Sequence, residues 1–452
     1  MKSHKERASW RAKRPELLVL VWLVPMMAAC GERVEVHESG PPASEIVEYR
    51  GASVFSGEAF VETSLCVSKQ FFVECPDSVA SRVDLAGGFV VPPLGDAHTH
   101  HFDGLNTLPW HRQMYLDAGV FYAMTLTAPT SNVREIRDQL QGSGNVDVAT
   151  SMGGMTGPDS HPAEVYEALA LGIRSYEEQL ARAEEIRASR KWADDAYFVV
   201  ETPADLEEKW PLILGNRPDI VKVYLRVSER YDESYGKWGP GGGLDPELLP
   251  LVSRLADEAG LRLAVANSSL SDFRASLAAG ADLVSHLPCY QDMLSDPESP
   301  YYRVDTDDEC RLSAEDAEAA AAAGMGAVLI VSEWAKDRPK ANLEWEKRNT
   351  ALLEAAGAPL AIGSNAYGST VVDGLIAGAE KGFFEPARLL RLATTDTARL
   401  IFPDRRVGCL DAGCEASFVV LEGNPLESFE EIRNIRLRVK DGEPLVLDDT
   451  NV

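Results

Sequence analysis

His98 and His100 stand two residues apart within Pro93-Leu94-Gly95-Asp96-Ala97-His98-Thr99-His100, just after the β-forming run Phe89-Val90-Val91. Alternate residues of a strand share a face, so the two imidazoles would lie about 6 to 7 Å apart along the chain. That spacing lets both grip one divalent ion, and imidazole nitrogen suits zinc. A lone histidine on an apolar face usually reads as a satisfied core residue. Two in register, preceded by Asp96 and followed by His101 and Asp103, point to a metal instead.

Two further residues invite the same chemistry. Lys222 interrupts the apolar run Ile220-Val221-Lys222-Val223-Tyr224-Leu225, and a buried ammonium must be paired, neutralised or modified. Carbamylation by CO2 would turn its amine into a carboxylate able to bridge two metals. The alternative is a lysine that snorkels at the strand end or forms an ion pair inside the fold. His286 closes the short run Leu283-Val284-Ser285, again at a strand end.

The elements that must position these residues alternate in type. Strand-like runs fall at 89–97, 120–126, 146–150, 220–225, 262–266, 283–285, 327–331 and 360–362. Helical patterns fall between several of them, at 163–189, 246–259, 313–323 and 343–356. Eight strands with interleaved helices fit a (β/α)8 barrel, whose chemistry lies at the C-terminal strand ends and the loops that follow. A doubly wound sheet is the alternative, but no glycine-rich phosphate loop follows the first strand. His98 and His100 meet the barrel's demand, as do the loop 153–162 with His161 and the glycine-rich segment 236–243. Either loop reads as a lid or as a simple connector. Short alternating segments before residue 90 and after residue 417 predict a small β-domain built from both ends of the chain.

In order along the chain, several segments resemble the amidohydrolase superfamily, specifically its imidazolonepropionase and dipeptidase-like branch, over roughly residues 48–447. They are Asp84-Leu85-Ala86-Gly87, the His98-Thr99-His100 pair, Lys222, and Ala278-Ala279-Gly280-Ala281-Asp282 followed by His286. Ala361-Ile362-Gly363-Ser364, Thr394-Thr395-Asp396-Thr397-Ala398-Arg399-Leu400 and Gly423-Asn424-Pro425-Leu426 complete the series. The resemblance implies a (β/α)8 barrel over 91–402 and a flanking β-sandwich from 46–90 plus 403–452. It also implies one or two divalent ions, zinc foremost, held by His98, His100, carbamylated Lys222 and His286. The implied reaction is hydrolysis of an amide, cyclic amide or dipeptide C–N bond in a small-molecule substrate.

Two positions depart from that family. Strand five, which should end in a metal-binding histidine, reads Leu263-Ala264-Val265-Ala266-Asn267; strand eight, which should end in a ligating and proton-accepting aspartate, reads Gly363-Ser364-Asn365. Asn267 keeps a carbonyl oxygen that would ligate a hard cation weakly but lacks the imidazole nitrogen. Asn365 is the graver change, since an amide takes no proton from water at neutral pH. Losing a positioned base lowers a rate about 10²- to 10⁴-fold. Asp96, Asp103, His101, His161 and Glu333 are the nearby substitutes. The rival expectation is therefore a catalytically impaired relative that binds a small molecule or partner at the barrel mouth.

The ends, charge and cysteines bound the setting. Lys2, Lys5, Arg7, Arg11, Lys13 and Arg14 precede the apolar run 17–29, the pattern of a secretory signal over 1–30. Met27-Ala28-Ala29-Cys30 resembles a bacterial lipoprotein cleavage box with Cys30 as the acylated residue, although Met27 replaces the usual branched residue. Plain export or an uncleaved anchor is the alternative. A polar tether, 31–45, follows, so the expected site of action is the periplasm or cell envelope, with membrane contact only through a lipid anchor. The net charge of −27 becomes about −31 without the basic leader, which argues against nucleic acid as a partner. Oligomeric state is not legible. In an oxidising compartment the six other cysteines suggest pairing, with neighbours the cheapest choice among fifteen connectivities: Cys66 with Cys75, Cys289 with Cys310, Cys409 with Cys414. Free buried cysteines are the alternative, and no CxxC pair supports a zinc knuckle.

Overall fold

The computed structural model describes residues 43–231, 242–290, 306–336 and 340–446. The leader 1–30 with Cys30, the tether to residue 42 and the glycine-rich stretch 236–241 lie outside the described residues.

The N-terminal part supplies β1 (Ile46–Phe55), β2 (Phe60–Ser68), β3 (Phe71–Val73), β4 (Ser81–Asp84) and β5 (Phe89–Val91). The centre supplies β6 (Leu94–Thr99), β7 (Val120–Thr125), β8 (Asp147–Thr150), β9 (Gly154–Thr156), β10 (Tyr197–Val199), β11 (Ile220–Tyr224), β12 (Arg262–Ala266), β13 (Leu283–Val284), β14 (Gly326–Ile330) and β15 (Leu360–Gly363). The last part adds β16 (Phe418–Leu421), β17 (Ile435–Lys440) and β18 (Glu443–Pro444). One sheet joins the two ends of the chain in the order β18-β17-β16-β5-β1-β2-β3, with β4 on β1. Tyr49, Val90, Phe418 and Val439 pack in its core, and the Tyr49 and Phe418 rings meet edge to face at 5.0 Å.

The central strands are parallel and nearly all their residues are buried. Strands covered on both faces read as continuous apolar runs, which is why they were visible in the sequence. They form two ladders, β6-β7-β8 and β10-β9-β11-β12-β13-β14-β15, so the barrel is not closed by a continuous ladder among the described residues. The third strand position is shared: β8 pairs with β7 and β9 with β11. The break falls at Ser151-Met152-Gly153, where Met152 turns through φ +58° and its N–H bonds Thr150 Oγ1 at 3.0 Å. Between β15 and β6, Asn365 N–H donates to the His98 carbonyl at 2.7 Å and Ser364 N–H to Asp96 Oδ1 at 2.8 Å. Gly363 permits this approach, because a Cβ there would lie 2.7 Å from His98 Cβ.

The expected single helix over 163–189 is three: Ala163–Ala170, Tyr176–Ala181 and Ala183–Ala188. Gly172 at φ +74° ends the first, and the Ser175 side chain caps the second through Glu178 N–H. Ser269 with Asp272 and Ser313 with Asp316 form capping boxes at the helices Leu270–Ala279 and Ala314–Ala323. The terminal sheet is tied to the barrel by charge: Lys440, fully buried on β17, bonds Asp147 Oδ1 at 2.8 Å, and Arg405 bonds Asp147 Oδ2 at 2.7 Å. Three disulfides join Cys66 to Cys75, Cys289 to Cys310 and Cys409 to Cys414.

Candidate metal centre and active site

Strand β6 delivers the first two side chains. Its pairing with β7 shifts between Asp96↔Ala123 and Thr99↔Thr125, so one extra residue bulges at the strand end. Bulges of this kind re-aim side chains beside functional sites. The His98 and His100 rings stand edge to face at 5.3 Å. Nδ1–H of His98 donates to the Ser285 carbonyl at 3.1 Å, which leaves Nε2 as the side able to ligate.

His286, after β13, stacks on His98 at 4.8 Å and on Tyr290 at 4.0 Å. Its Nε2 is buried without a hydrogen-bond partner. His100 stacks parallel on Tyr367 at 4.9 Å, and its Nε2–H donates to Asn365 Oδ1 at 2.9 Å. Lys222, 1 % exposed on β11, bonds Ser285 Oγ and lies 5.1 Å from the Tyr224 ring centroid. No ion pair to Lys222 exists among the described residues. Strands β6, β11 and β13 thus bring His98, His100, Lys222 and His286 to one end of the barrel.

Burial sets the protonation of this cluster. It holds His98 and His286 well below the usual imidazole range, lowers His100 to about 4, and pushes the Lys222 amine far down. Asp96 is pushed up by burial to about 6, against hydrogen bonds from Ser364, Tyr115 and His98.

Asn267 is placed differently. Its Oδ1 accepts from Ser276 Oγ at 3.0 Å and its buried Nδ2 has no hydrogen-bond partner, so it faces a helix side chain rather than the histidines. Asn365 sits at φ +48°, a left-handed position that asparagine tolerates. The substitute bases are scattered. His101 bonds Tyr115 Oη through Nδ1 at 2.9 Å, Asp103 accepts from Thr107, and Glu333 pairs with Lys336 at 2.5 Å. His161 Nδ1 lies 2.8 Å from Glu164 Oε1. Tyr290, Tyr367 and the part Ser285 plays in orienting His98 carried no signal in the sequence, although each residue follows a barrel strand closely.

A divalent ion fits the donor chemistry: three neutral imidazoles, one with an orphaned buried Nε2, and a buried amine without a carboxylate partner among the described residues. No group of three His, Cys, Asp or Glu side chains converges tightly enough to form a ready metal cage among the described residues.

The amidohydrolase family model matches residues 306–445, the part that carries β14, β15, Asn365 and the closing strands. The solved structures similar to this chain include ochratoxinase from A. niger, with a TM-score of 0.66 at 16% identity, covering 88% of this chain and 95% of that one. A Xaa-Pro dipeptidase with bound methionine gives 0.64 at 15% identity over 88% and 99%. Molinate hydrolase gives 0.62 at 16% over 89% and 94%. No curated protein sequence matches. The class is thus an α/β fold of the barrel type with a flanking β part. The family model supports the resemblance to the amidohydrolase family over residues 306–445, the solved structures show the fold, and the neighbours named here are hydrolases.

Proposed function

We propose that this chain hydrolyses a C–N bond, an amide, cyclic amide or dipeptide bond, in a small-molecule substrate. The observation that carries the reading is the cluster of three neutral imidazoles, two buried and that of His100 half-buried, around a buried amine lacking an acidic partner among the described residues, at the ends of β6, β11 and β13. His98, His100 and His286, with Lys222 carbamylated, would hold one or two divalent ions, zinc foremost. Such an ion supplies Lewis acidity toward a carbonyl oxygen and acidifies water. The chain's own groups do the rest: Ser285 orients His98, and Tyr290 and Tyr367 hold the His286 and His100 rings in place. The basic leader and Cys30 support an exported, lipid-anchored protein.

A second reading, a catalytically silent relative that binds a small molecule or partner, is favoured by Asn267 and Asn365. Both altered residues are held by neighbours, Ser276 and His100. Purified, zinc-supplemented protein tested on dipeptides, N-acylated amino acids and cyclic amides separates the two. Equimolar release of carboxylate and amine is expected. No release from any member of the panel would leave only the binding role.

A further inference from the structure

Tyr367 is the most exposed aromatic side chain among the described residues, at 63 %. A single exposed ring ordinarily needs no explanation, but this one is built into the candidate site. It lies in the loop between β15 and the helix Val372–Glu380. The residues just before it are pinned to the cluster. Asn365 N–H donates to the His98 carbonyl at 2.7 Å, Asn365 Oδ1 accepts from His100 Nε2–H at 2.9 Å, and Ala366 N–H donates to Ser364 Oγ at 3.4 Å. The Tyr367 ring then lies nearly parallel to that of His100, with 10° between the planes and 4.9 Å between centroids.

An aromatic ring has two faces. His100 takes one face of Tyr367, and the exposure of the side chain leaves the other to water. The hydroxyl end is turned inward: burial, helped by the carboxylates of Asp103 and Glu164, pushes it up to about 12. The ring therefore stands at the edge of the barrel mouth, one face over a histidine of the cluster and the other open. A π-face is matched best by another flat apolar group, stacked with an offset or edge on. Neighbouring side chains have the same character. Trp110, 53 % exposed, meets the ring of His101 edge on at 6.4 Å, and Leu105, also exposed, lies in the loop after β6. A ring stacked on the open face at a similar spacing would lie about 9 to 10 Å from the His100 ring. A dipeptide, with about 7 Å of chain and an aromatic side chain beyond it, spans that distance.

We propose that Tyr367 is a specificity-determining residue whose open face stacks on an aromatic ring of the substrate, so that the amides cleaved by this chain carry such a ring within one residue of the scissile bond. This rests on the hydrolase reading above and names the substrate class within it. The stack is preorganised, because His100 and the pinned loop fix the tyrosine before substrate arrives.

The test uses the zinc-supplemented full chain as wild type, Tyr367→Ala, Tyr367→Phe and Phe71→Ala. Phe71, exposed on the terminal sheet, controls for loss of apolar surface in general. Two matched pairs of substrates differ only in the ring: N-phenylacetylglycine against N-acetylglycine, and glycylphenylalanine against glycylalanine. In at least one pair we expect wild type to favour the aromatic member about tenfold or more in kcat/KM. Tyr367→Ala also loosens His100, but that effect is common to both members and cancels in their ratio. The ratio should fall to within about twofold of unity in Tyr367→Ala, chiefly through KM, and persist in Tyr367→Phe and Phe71→Ala. An active wild type with no preference in either pair overturns the proposal, as does a preference that survives Tyr367→Ala. A readout without turnover is the binding of phenylacetate and acetate followed by ligand-observed NMR. Phenylacetate should bind about tenfold more tightly or better, and Tyr367→Ala should abolish the difference. A wild type that cleaves none of the four substrates but shows this binding removes the hydrolase reading and keeps the stacking site. Equal binding of the two acids overturns the stacking site whatever the activity.

Discussion

His100 Nε2–H donates to Asn365 Oδ1 at 2.9 Å. The amide thus occupies the nitrogen that an imidazole would otherwise offer to a metal, and it does so from a position where the sequence resemblance implies a carboxylate. The two altered residues are not equivalent: Asn365 touches the histidine cluster, whereas Asn267 is turned to Ser276.

If the asparagines weaken the centre, Asn267→His with Asn365→Asp restores an imidazole and an anionic oxygen donor. Zinc affinity should rise at least about tenfold, equivalent to about 1.4 kcal/mol. Competition against a chelating dye reads this directly, and unchanged affinity would mean that the pocket has diverged beyond these two positions.

Gly363→Ala should destabilise the fold through the seam between β15 and β6. The added Cβ would lie 2.7 Å from His98 Cβ and 2.8 Å from its backbone nitrogen. Overpacking of this kind costs about 1–3 kcal/mol, and thermal unfolding should show a lower midpoint; an unchanged midpoint would mean that the seam is looser than described.

Much of this frame was legible beforehand, for a physical reason. Strands buried on both faces leave apolar runs, so the strand carrying His98 and the one carrying Lys222 stood out, and Lys222 did so by interrupting its run. The division of the third strand did not, because Ser151-Met152-Gly153-Gly154 reads as a turn rather than as a jog between two ladders. The breaks in the helix over 163–189 were written in Gly172 and Ser175, but the acidic and apolar spacing around them masked the stop. Lys440 ends an alternating strand and so reads as solvent-facing; its burial is set by Asp147, 293 residues away. Tyr290 and Tyr367 carried no motif, since stacking depends on where loops return.

Asp147→Ala should be strongly destabilising. It leaves the fully buried Lys440 ammonium with only the longer carboxylate contact to Asp441 Oδ2 at 3.6 Å among the described residues, and it removes a partner of Arg405. Breaking a buried pair by removing one member costs about 3–5 kcal/mol. Denaturant unfolding should show a large fall in midpoint, and Asp147→Leu with Lys440→Met should lose less than Asp147→Ala alone.

Glu167 contributes stability with a definite pH dependence. Burial alone would raise its pKa, but hydrogen bonds from Ser189 Oγ, Trp192 N–H, Tyr197 Oη–H and Lys191 N–H outweigh that and lower it. A carboxyl depressed in the folded state stabilises fully above its unfolded pKa, about 4.3, and the contribution is lost as pH falls from there through the lower folded value. The stability gap between wild type and Glu167→Gln should therefore be widest at neutral pH and close below about pH 4. A gap independent of pH in unfolding measurements from pH 3 to 7 would contradict this.

The most direct test of the metal hydrolase reading is elemental analysis of the purified full chain, paired with the Lys222→Met variant. At least about one equivalent of zinc or another divalent ion per chain is expected, falling sharply in Lys222→Met. Less than about 0.2 equivalents after zinc loading, or a content indifferent to Lys222→Met, would contradict it.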